Sequence, residues 1–433
     1  MSKPDEPKRN VLTLIALIFA GEVIFFLPFV IPRIFRPTLL EVFQISNLEL
    51  GTCFSVYGIV AMASYFFGGP LADKYSPRSL IAFALWLTAL GGIVITIYPK
   101  AELLFVLYGF WGFTTIFLLW AALIRATREW GGKSQGKAFG FLEGGRGLAA
   151  AAIGTFAVVL FDSAISSQVA GNYDQHRVES YQMVLIATSL ITFITGAFVW
   201  FTVPRQIVKS EEHFKPTVKS VFNLMKMPAI WMQAVIIVCA YVGYKITDDY
   251  SLYAHEVLGF DEVSAAGVGT SALWMRPVFA ILAGLAADKF DPVKVIAWCF
   301  AIMIFGGLLV YQGAIRHPVW LAISVLTTTL IGVYGIRGIY FAVVQRIKVP
   351  LAATGTAVGI ISFIGFTPDI FMSPLMGYVL DKDPGAVGHQ NVFLILSFFA
   401  VVGLLTSMAL YKKVKAELGN SHLAQPSEQY RKL

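Results

Sequence analysis

Apolar residues run along this chain in long blocks, interrupted by short clusters of glycine, proline, asparagine and charge. The first block extends from Val11 to about Ile34. Later ones fall near 48–70, 79–98, 102–125, 137–161, 181–203, 228–252, 264–286, 294–313, 319–341, 353–378 and 391–411. A helix rises about 1.5 Å per residue, so about 20 apolar residues cross the roughly 30 Å hydrocarbon layer of a bilayer. The blocks have that length and predict twelve transmembrane helices in an all-α membrane protein. The first follows a tail rich in Lys and Arg and has no small-residue cleavage site, so it reads as a spanning helix and not a signal peptide.

Composition agrees: 57% of residues are hydrophobic, 14% are charged, and mean hydropathy is +0.71. A soluble core could not absorb that much apolar surface. The net charge of +7 forms no stripe or patch that would fit nucleic acid, because the basic residues sit in short turns. They crowd the turns on the side of the N-terminal tail, while the opposite side has only Arg33, Arg36, Lys100, Arg177, Arg316 and Lys382. By the positive-inside rule both termini and the loop Pro204 to Met227 are expected in the cytoplasm, with the protein in a bacterial inner (plasma) membrane. Cys53, Cys239 and Cys299 lie too far apart for a zinc or redox motif and read as small hydrophobes. The six histidines are scattered over loops and tails and read as surface residues.

A long repeat organises the chain. Gly69-Gly-Pro-Leu-Ala-Asp73-Lys-Tyr-Ser-Pro-Arg78 is echoed by Gly284-Leu-Ala-Ala-Asp288-Lys-Phe-Asp-Pro292, an offset of 284 − 69 = 215 residues. A repeat of that length in an apolar chain implies two copies of a six-helix unit. The expected organisation is a tail at 1–10, halves at 11–203 and 228–411, a linker at 204–227 and a C-terminal tail at 412–433. Each aspartate sits at a helix C-terminus, where the macrodipole disfavours negative charge, so Asp73 and Asp288, with Arg78, are candidate gate residues. Gly140-xxx-Gly144 and Gly355-xxx-Gly359, again 215 apart, read as faces on which helices pack closely.

Glu22, Glu143, Arg146, Lys245, Asp248, Asp249, Arg276, Arg337 and Asp369 lie inside apolar blocks. A charge at the bilayer centre costs at least about 2.5 kcal/mol unless it is paired or wet, so the group predicts a polar cavity. Glu143 and Arg146, three residues apart, could neutralise each other, as could Lys245 with Asp248 or Asp249. These charges break the repeat: 215 residues from Glu22, Glu143, Arg146, Lys245, Arg276 and Arg337 stand Ile237, Val358, Ile361, Val30, Ala61 and Ala122. Unlike groups from the two halves suit a ligand that has no two-fold symmetry.

Gly69, Leu71, Ala72, Asp73, Lys74 and Arg78 match the loop signature of the major facilitator superfamily, which the chain resembles over essentially its whole length. The resemblance implies two six-helix halves rocking about a central site, with Asp73 and Asp288 in a cytoplasmic gate. Asp-Lys-x-Ser-Pro-Arg, the spacing of Trp120, Arg125 and Trp130, and Tyr241, Lys245, Asp249, Ser251 and Tyr253 resemble the organophosphate:phosphate antiporter branch. That branch places a seventh-helix arginine on phosphate, near Lys245 here. Phe29 and Val30 stand where its second arginine would fall, so that clamp is incomplete.

The expected function is therefore secondary transport of a small polar, anionic metabolite by alternating access. Lys245, Arg146, Arg337 and Arg276 are the expected substrate contacts. Glu22, Glu143 and Asp369 are the expected coupling acids, and Glu22 could instead touch substrate or pair with a basic neighbour. The coupling ion is a proton or a counter-anion, and the protein is expected to act as a monomer in the lipid bilayer. Proton-driven export of an amphipathic or cationic compound is the alternative. No Walker loop, zinc-ligand spacing or Gly-x-Ser-x-Gly points to an enzyme, a cofactor or a metal.

Overall fold

The structure is a computed structural model that describes residues 10–97, 100–132, 135–166, 173–205, 222, 224–313, 319–347 and 354–423. The tail 1–9, most of the linker 204–227, the last ten residues, His213 and His317 fall outside them, as do the side chains of Asp73 and His422. Among the described residues, twelve helical runs are long and apolar enough to cross a membrane. They are α1 (Val11–Ile34), α2 (Asn47–Tyr65), α3 (Pro77–Ile97), α4 (Ala101–Gly131), α5 (Lys137–Ser166), α6 (Asp174–Thr202), α7 (Pro228–Glu256), α8 (Glu262–Lys289), α9 (Pro292–Tyr311), α10 (Val319–Val344), α11 (Ala357–Lys382) and α12 (Ala386–Ala416). The chain is all-α, as the block lengths predict.

Helix ends follow local chemistry. Ser46 accepts from the backbone of Glu49 while the Glu49 carboxylate accepts from Ser46 N, a capping box that starts α2, whose helix continues to Lys74. Asp291 caps α9, with Pro292 in the first turn where no amide hydrogen is needed. Pro28 interrupts α1: without an N–H it cannot bond Ile24, and the chain widens into a π-helical turn over Phe26–Val30. Val30 N then bonds Phe25 O, five residues back.

The chain divides into two compact units. The first gathers 1–210, 248–277 and 369–385, so it joins the first six helices to the last turns of α7, the first part of α8 and most of α11. The second gathers 211–247, 278–368 and 386–433. Within the first unit α1 packs on α5 and α6, and α3 on α6. Within the second α7 packs on α11 and α12, and α9 on α12. The same pairings recur six helices later.

Glycine pairs at matching positions make those contacts possible. A Cβ on Gly92 of α3 would run into Ser189 Oγ of α6 and into Leu27, and one on Gly307 of α9 would meet Ser397 Oγ of α12. Gly91-Gly92 and Gly306-Gly307 are 307 − 92 = 215 residues apart. Small residues let backbones approach where no hydrophobic effect drives helices together. Gly140, Gly144 and Gly359, expected to do this, have no atom within 4 Å of where a Cβ would sit. Among the described residues, no other helix closes on them. His389, expected on the surface, is buried in the first turns of α12.

Candidate functional site

Gly21 and Gly145 set the crossing of α1 and α5. A Cβ on Gly21 would meet Leu123 at 2.9 Å and the Arg146 stem at 3.2 Å, and one on Gly145 would meet Ile18 at 2.6 Å. This close approach lays Arg146 across α1 beside Glu22. Arg276 arrives from α8, one residue before Pro277, which lies inside that helix.

Four expected site residues then form one network in the first unit. Arg146 Nε donates to Glu22 Oε2 at 3.1 Å, and Arg276 Nη1 donates to Glu22 Oε1 at 3.0 Å. Arg146 Nη1 donates to Glu143 Oε1 at 2.7 Å, while Arg276 Nη2 stands 3.9 Å from Glu143 Oε2. Two guanidiniums face two carboxylates, and the formal charge sums to zero. Burial is uneven: the Glu22 side chain is 4% exposed, Arg146 7%, Arg276 10% and Glu143 56%. Phe25 and Trp120 cover the Arg146 guanidinium, with ring centroids 5.8 and 5.6 Å from Cζ. Of the sequence alternatives, Glu143 does pair with Arg146, and Glu22 does pair with basic neighbours.

The other expected substrate contacts lie in the second unit. Lys245 is buried in the last turn of the helix Pro228–Ile246, in the interior of the α7 span. Arg337 of α10 stacks on Tyr244, Cζ to centroid 3.8 Å, and lies 5.7 Å from the Tyr241 ring. Both tyrosines and Arg337 line a tight cleft with Ala240 and Tyr340. Asp369 is half-buried in the first turn of the helix Pro368–Lys382, against the backbone of α2 at Gly58. Among the gate candidates, Asp73 lies in the last turn of the α2 helix, Arg78 stacks on Trp200 at 4.7 Å, and Asp288 is exposed.

Sequence reasoning missed a second charged cluster, where α1 ends and α2 begins. Asp248, a candidate partner for Lys245, pairs with Arg33, Nε to Oδ1 2.5 Å, both buried. Ser251 Oγ donates to Arg33 O at 2.8 Å. Arg36 donates from Nη2 to Asn47 Oδ1 at 2.8 Å, and Asp381 accepts from the backbone N–H groups of Asn47 and Leu48 at 3.0 and 2.7 Å. That carboxylate sits on the positive end of the α2 helix. Glu262, at the start of α8, accepts from Thr38 Oγ1 at 2.6 Å and forms an ion pair with Arg177, whose Nε stands 2.5 Å from Oε1. Burial pushes the Arg36 guanidinium down from its usual range, and the nearby carboxylates of Asp249, Asp248, Asp381 and Glu256 push it back. The missed signal was arithmetical: 248 − 33 = 215, the repeat offset.

Among the described residues no group of three or more His, Cys, Asp or Glu could hold a metal ion. The three cysteines are buried and unbridged.

The Major Facilitator Superfamily family model matches residues 12–368. Inner membrane protein YqcE of Escherichia coli (strain K12) is 27% identical over 420 residues, 94% of this chain and 96% of YqcE. Probable nitrate transporter NarT of Staphylococcus haemolyticus (strain JCSC1435) is 26% identical over 252 residues, 56% of this chain and 59% of NarT. Among solved structures, a bacterial homolog of the human lysosomal transporter Spinster, inward-facing and unoccupied, superposes with a TM-score of 0.74. It is 16% identical and covers 96% of this chain and 99% of its own, a likeness of fold. With a family match running through most of a chain built of twelve apolar spans, the protein belongs to the Major Facilitator Superfamily and is an integral-membrane secondary transporter.

Proposed function

We propose that the protein moves a small polar anion across the membrane by alternating access, with Arg146 and Arg276 as the groups that receive its negative charge. The observation that carries this reading is that two buried arginines from different helices converge on one buried carboxylate. Each buried charge costs several kcal/mol of desolvation, and replacing such clusters by apolar side chains is often neutral or stabilising, so stability alone does not account for them. Their repeat mates are Ile361 and Ala61, which leaves the scaffold able to form without them. The partial likeness to a probable nitrate transporter supports an anionic substrate.

Lys245 and Arg337 are proposed as further substrate contacts, and within their own unit the tyrosines beside Arg337 suit the uncharged body of a metabolite. Glu22, Glu143 and Asp369 are the acids through which a proton would couple, and exchange against a counter-anion needs the arginines alone. The two six-helix halves, 11–203 and 228–411, rock about the site. Asp73, Arg78 and Asp288 gate its cytoplasmic face, and both termini are cytoplasmic.

The test is thermal stabilisation of the purified protein by a panel of nitrate, inorganic phosphate, carboxylates, sugar phosphates and amphipathic cations. A ligand at 100 times its Kd stabilises by about 2.7 kcal/mol. An anion should stabilise the native protein and lose that effect in Arg276→Gln. Stabilisation by cations alone, or an anion effect that survives in both Arg146→Gln and Arg276→Gln, would overturn the reading.

A further inference from the structure

We propose that Glu143 is a displaceable competitor built into the anion site: an incoming oxyanion takes its place on Arg146 and Arg276 while Glu22 stays bound. This rests on the anion-transport reading above and adds which carboxylate leaves, and what class of group replaces it.

Charge balance comes first. Two guanidiniums and two carboxylates sum to zero, so an added monoanion would leave a buried net charge of −1 in a medium that penalises it. Exchanging one carboxylate for the incoming anion keeps the sum at zero. The geometry then selects which one goes. Glu22 is 4% exposed and accepts from both arginines, one at each oxygen, at 3.1 and 3.0 Å. Releasing it would bury an unpaired carboxylate. Glu143 is 56% exposed and stands 2.7 Å from Arg146 Nη1 and 3.9 Å from Arg276 Nη2, so turning its carboxylate into water costs less desolvation than releasing Glu22.

There is room for the movement. Among the described residues, no atom beyond the helix's own backbone lies within 4 Å of a Cβ built on Gly140 or Gly144, which flank Glu143 on the same helix. The arginines, by contrast, are held. Phe25 and Trp120 cover Arg146, Gly21 seats its stem, and Glu22 keeps hold of Arg146 Nε and Arg276 Nη1. What Glu143 vacates is therefore the Arg146 Nη1 donor, with Arg276 Nη2, 3.9 Å from Oε2, near enough to supply a second N–H to an oxyanion drawn in between them. Paired N–H donors favour planar or tetrahedral oxyanions over a spherical halide. The predicted ligand head group is a monoanionic oxyanion: a carboxylate, nitrate, or a singly charged phosphate ester.

The experiment measures binding of acetate, nitrate, inorganic phosphate and chloride to the purified full-length protein by calorimetry, in the native sequence, Glu143→Gln, Glu143→Asp and Arg276→Gln. Glu143→Gln should bind at least one oxyanion about tenfold more tightly than the native protein, with no such gain for chloride. Glu143→Asp, whose shorter side chain retracts from both arginines, should show a smaller gain of the same sign, and it decides the matter if Glu143→Gln does not fold. Arg276→Gln should abolish the binding. If Arg276→Gln abolishes oxyanion binding but neither Glu143 variant tightens it, the displacement idea is wrong and the transport reading stands. If no oxyanion binds any of the four proteins, both fall.

Discussion

Arg33 and Glu22 both lie on α1, and their partners follow different rules. Arg33 meets Asp248, which occupies the same position in the second copy of the repeat, and Asn47 and Glu262, the polar anchors at the starts of α2 and α8, are likewise 262 − 47 = 215 residues apart. Glu22 meets Arg146 and Arg276, while the positions 215 residues from these three hold Ile237, Ile361 and Ala61. Positions related by a two-fold repeat touch one another only on the axis that relates the copies, so the Arg33 pair reports how the scaffold closes on itself. The Glu22 network ignores that axis. The duplicated fold thus keeps its repeat at the Arg33 pair and departs from it at the Glu22 network.

The sharpest way to break this comparison is to reverse each pair. Arg33→Asp sets two carboxylates against each other in a buried place and should cost about 3–5 kcal/mol, seen as a large drop in melting temperature and folded yield. Because the positions are equivalent, the exchange Arg33→Asp with Asp248→Arg should recover most of that loss. Failure of the exchange would remove Arg33 and Asp248 from the axis.

The matching experiment on the other network should have the opposite outcome. Glu22→Gln leaves two buried guanidiniums with one exposed carboxylate between them and should cost about 3 kcal/mol by the same melting assay. The exchange Glu22→Arg with Arg146→Glu should not rescue it, since Arg276 would then face a new arginine. Rescue would mean that the cluster tolerates reversal as the axial pair does, and the distinction would collapse.

Glycine substitutions sharpen the contrast at smaller amplitude. Gly92→Ala and Gly307→Ala each drive a methyl into a neighbouring helix and should destabilise by about 1–3 kcal/mol. Gly144→Ala has open space and should stabilise by roughly 0.5–1 kcal/mol, the usual gain from removing a helix-interior glycine. Destabilisation by Gly144→Ala would show that this face is packed in the state that dominates in solution. The smallest effect belongs to Asp381→Asn, which removes a charge from the N-terminus of α2 and should cost about 0.3–1 kcal/mol, more in low salt than in high.

The twelve spans were legible because bilayer thickness imposes a length that any apolar block either meets or does not. All four members of the Glu22 network were legible too, since a charge inside such a block has to be explained. Their meeting was not. It depends on the crossing set by Gly21 and Gly145, two glycines with no special spacing, while a Cβ on the better-spaced Gly140 or Gly144 would meet no neighbouring helix among the described residues. Arg33 was not read as part of a cluster for a different reason: it lies one residue before the end of α1, where hydropathy cannot separate a buried arginine from one that orients the helix. Gly91-Gly92 and Gly306-Gly307 were in plain view as a repeat, but a pair of adjacent glycines carries no pattern until the partner helix is known.

The widened turn at Phe26–Val30 falls between the two clusters and sets their angular phase. Glu22 and Arg33 are 33 − 22 = 11 residues apart, and at about 100° per residue an uninterrupted α-helix would point them within roughly 20° of the same direction. The extra residue taken up by the turn rotates everything beyond it, turning Arg33 and Arg36 toward Asp248 and Asn47 while Glu22 faces Arg146 and Arg276. Deleting one residue from this turn would leave the block as apolar as before and still long enough to span a bilayer. It would nonetheless swing Arg33 by about 100° and leave Glu22 where it is, so that one helix could hold one of its two charges in register but not both.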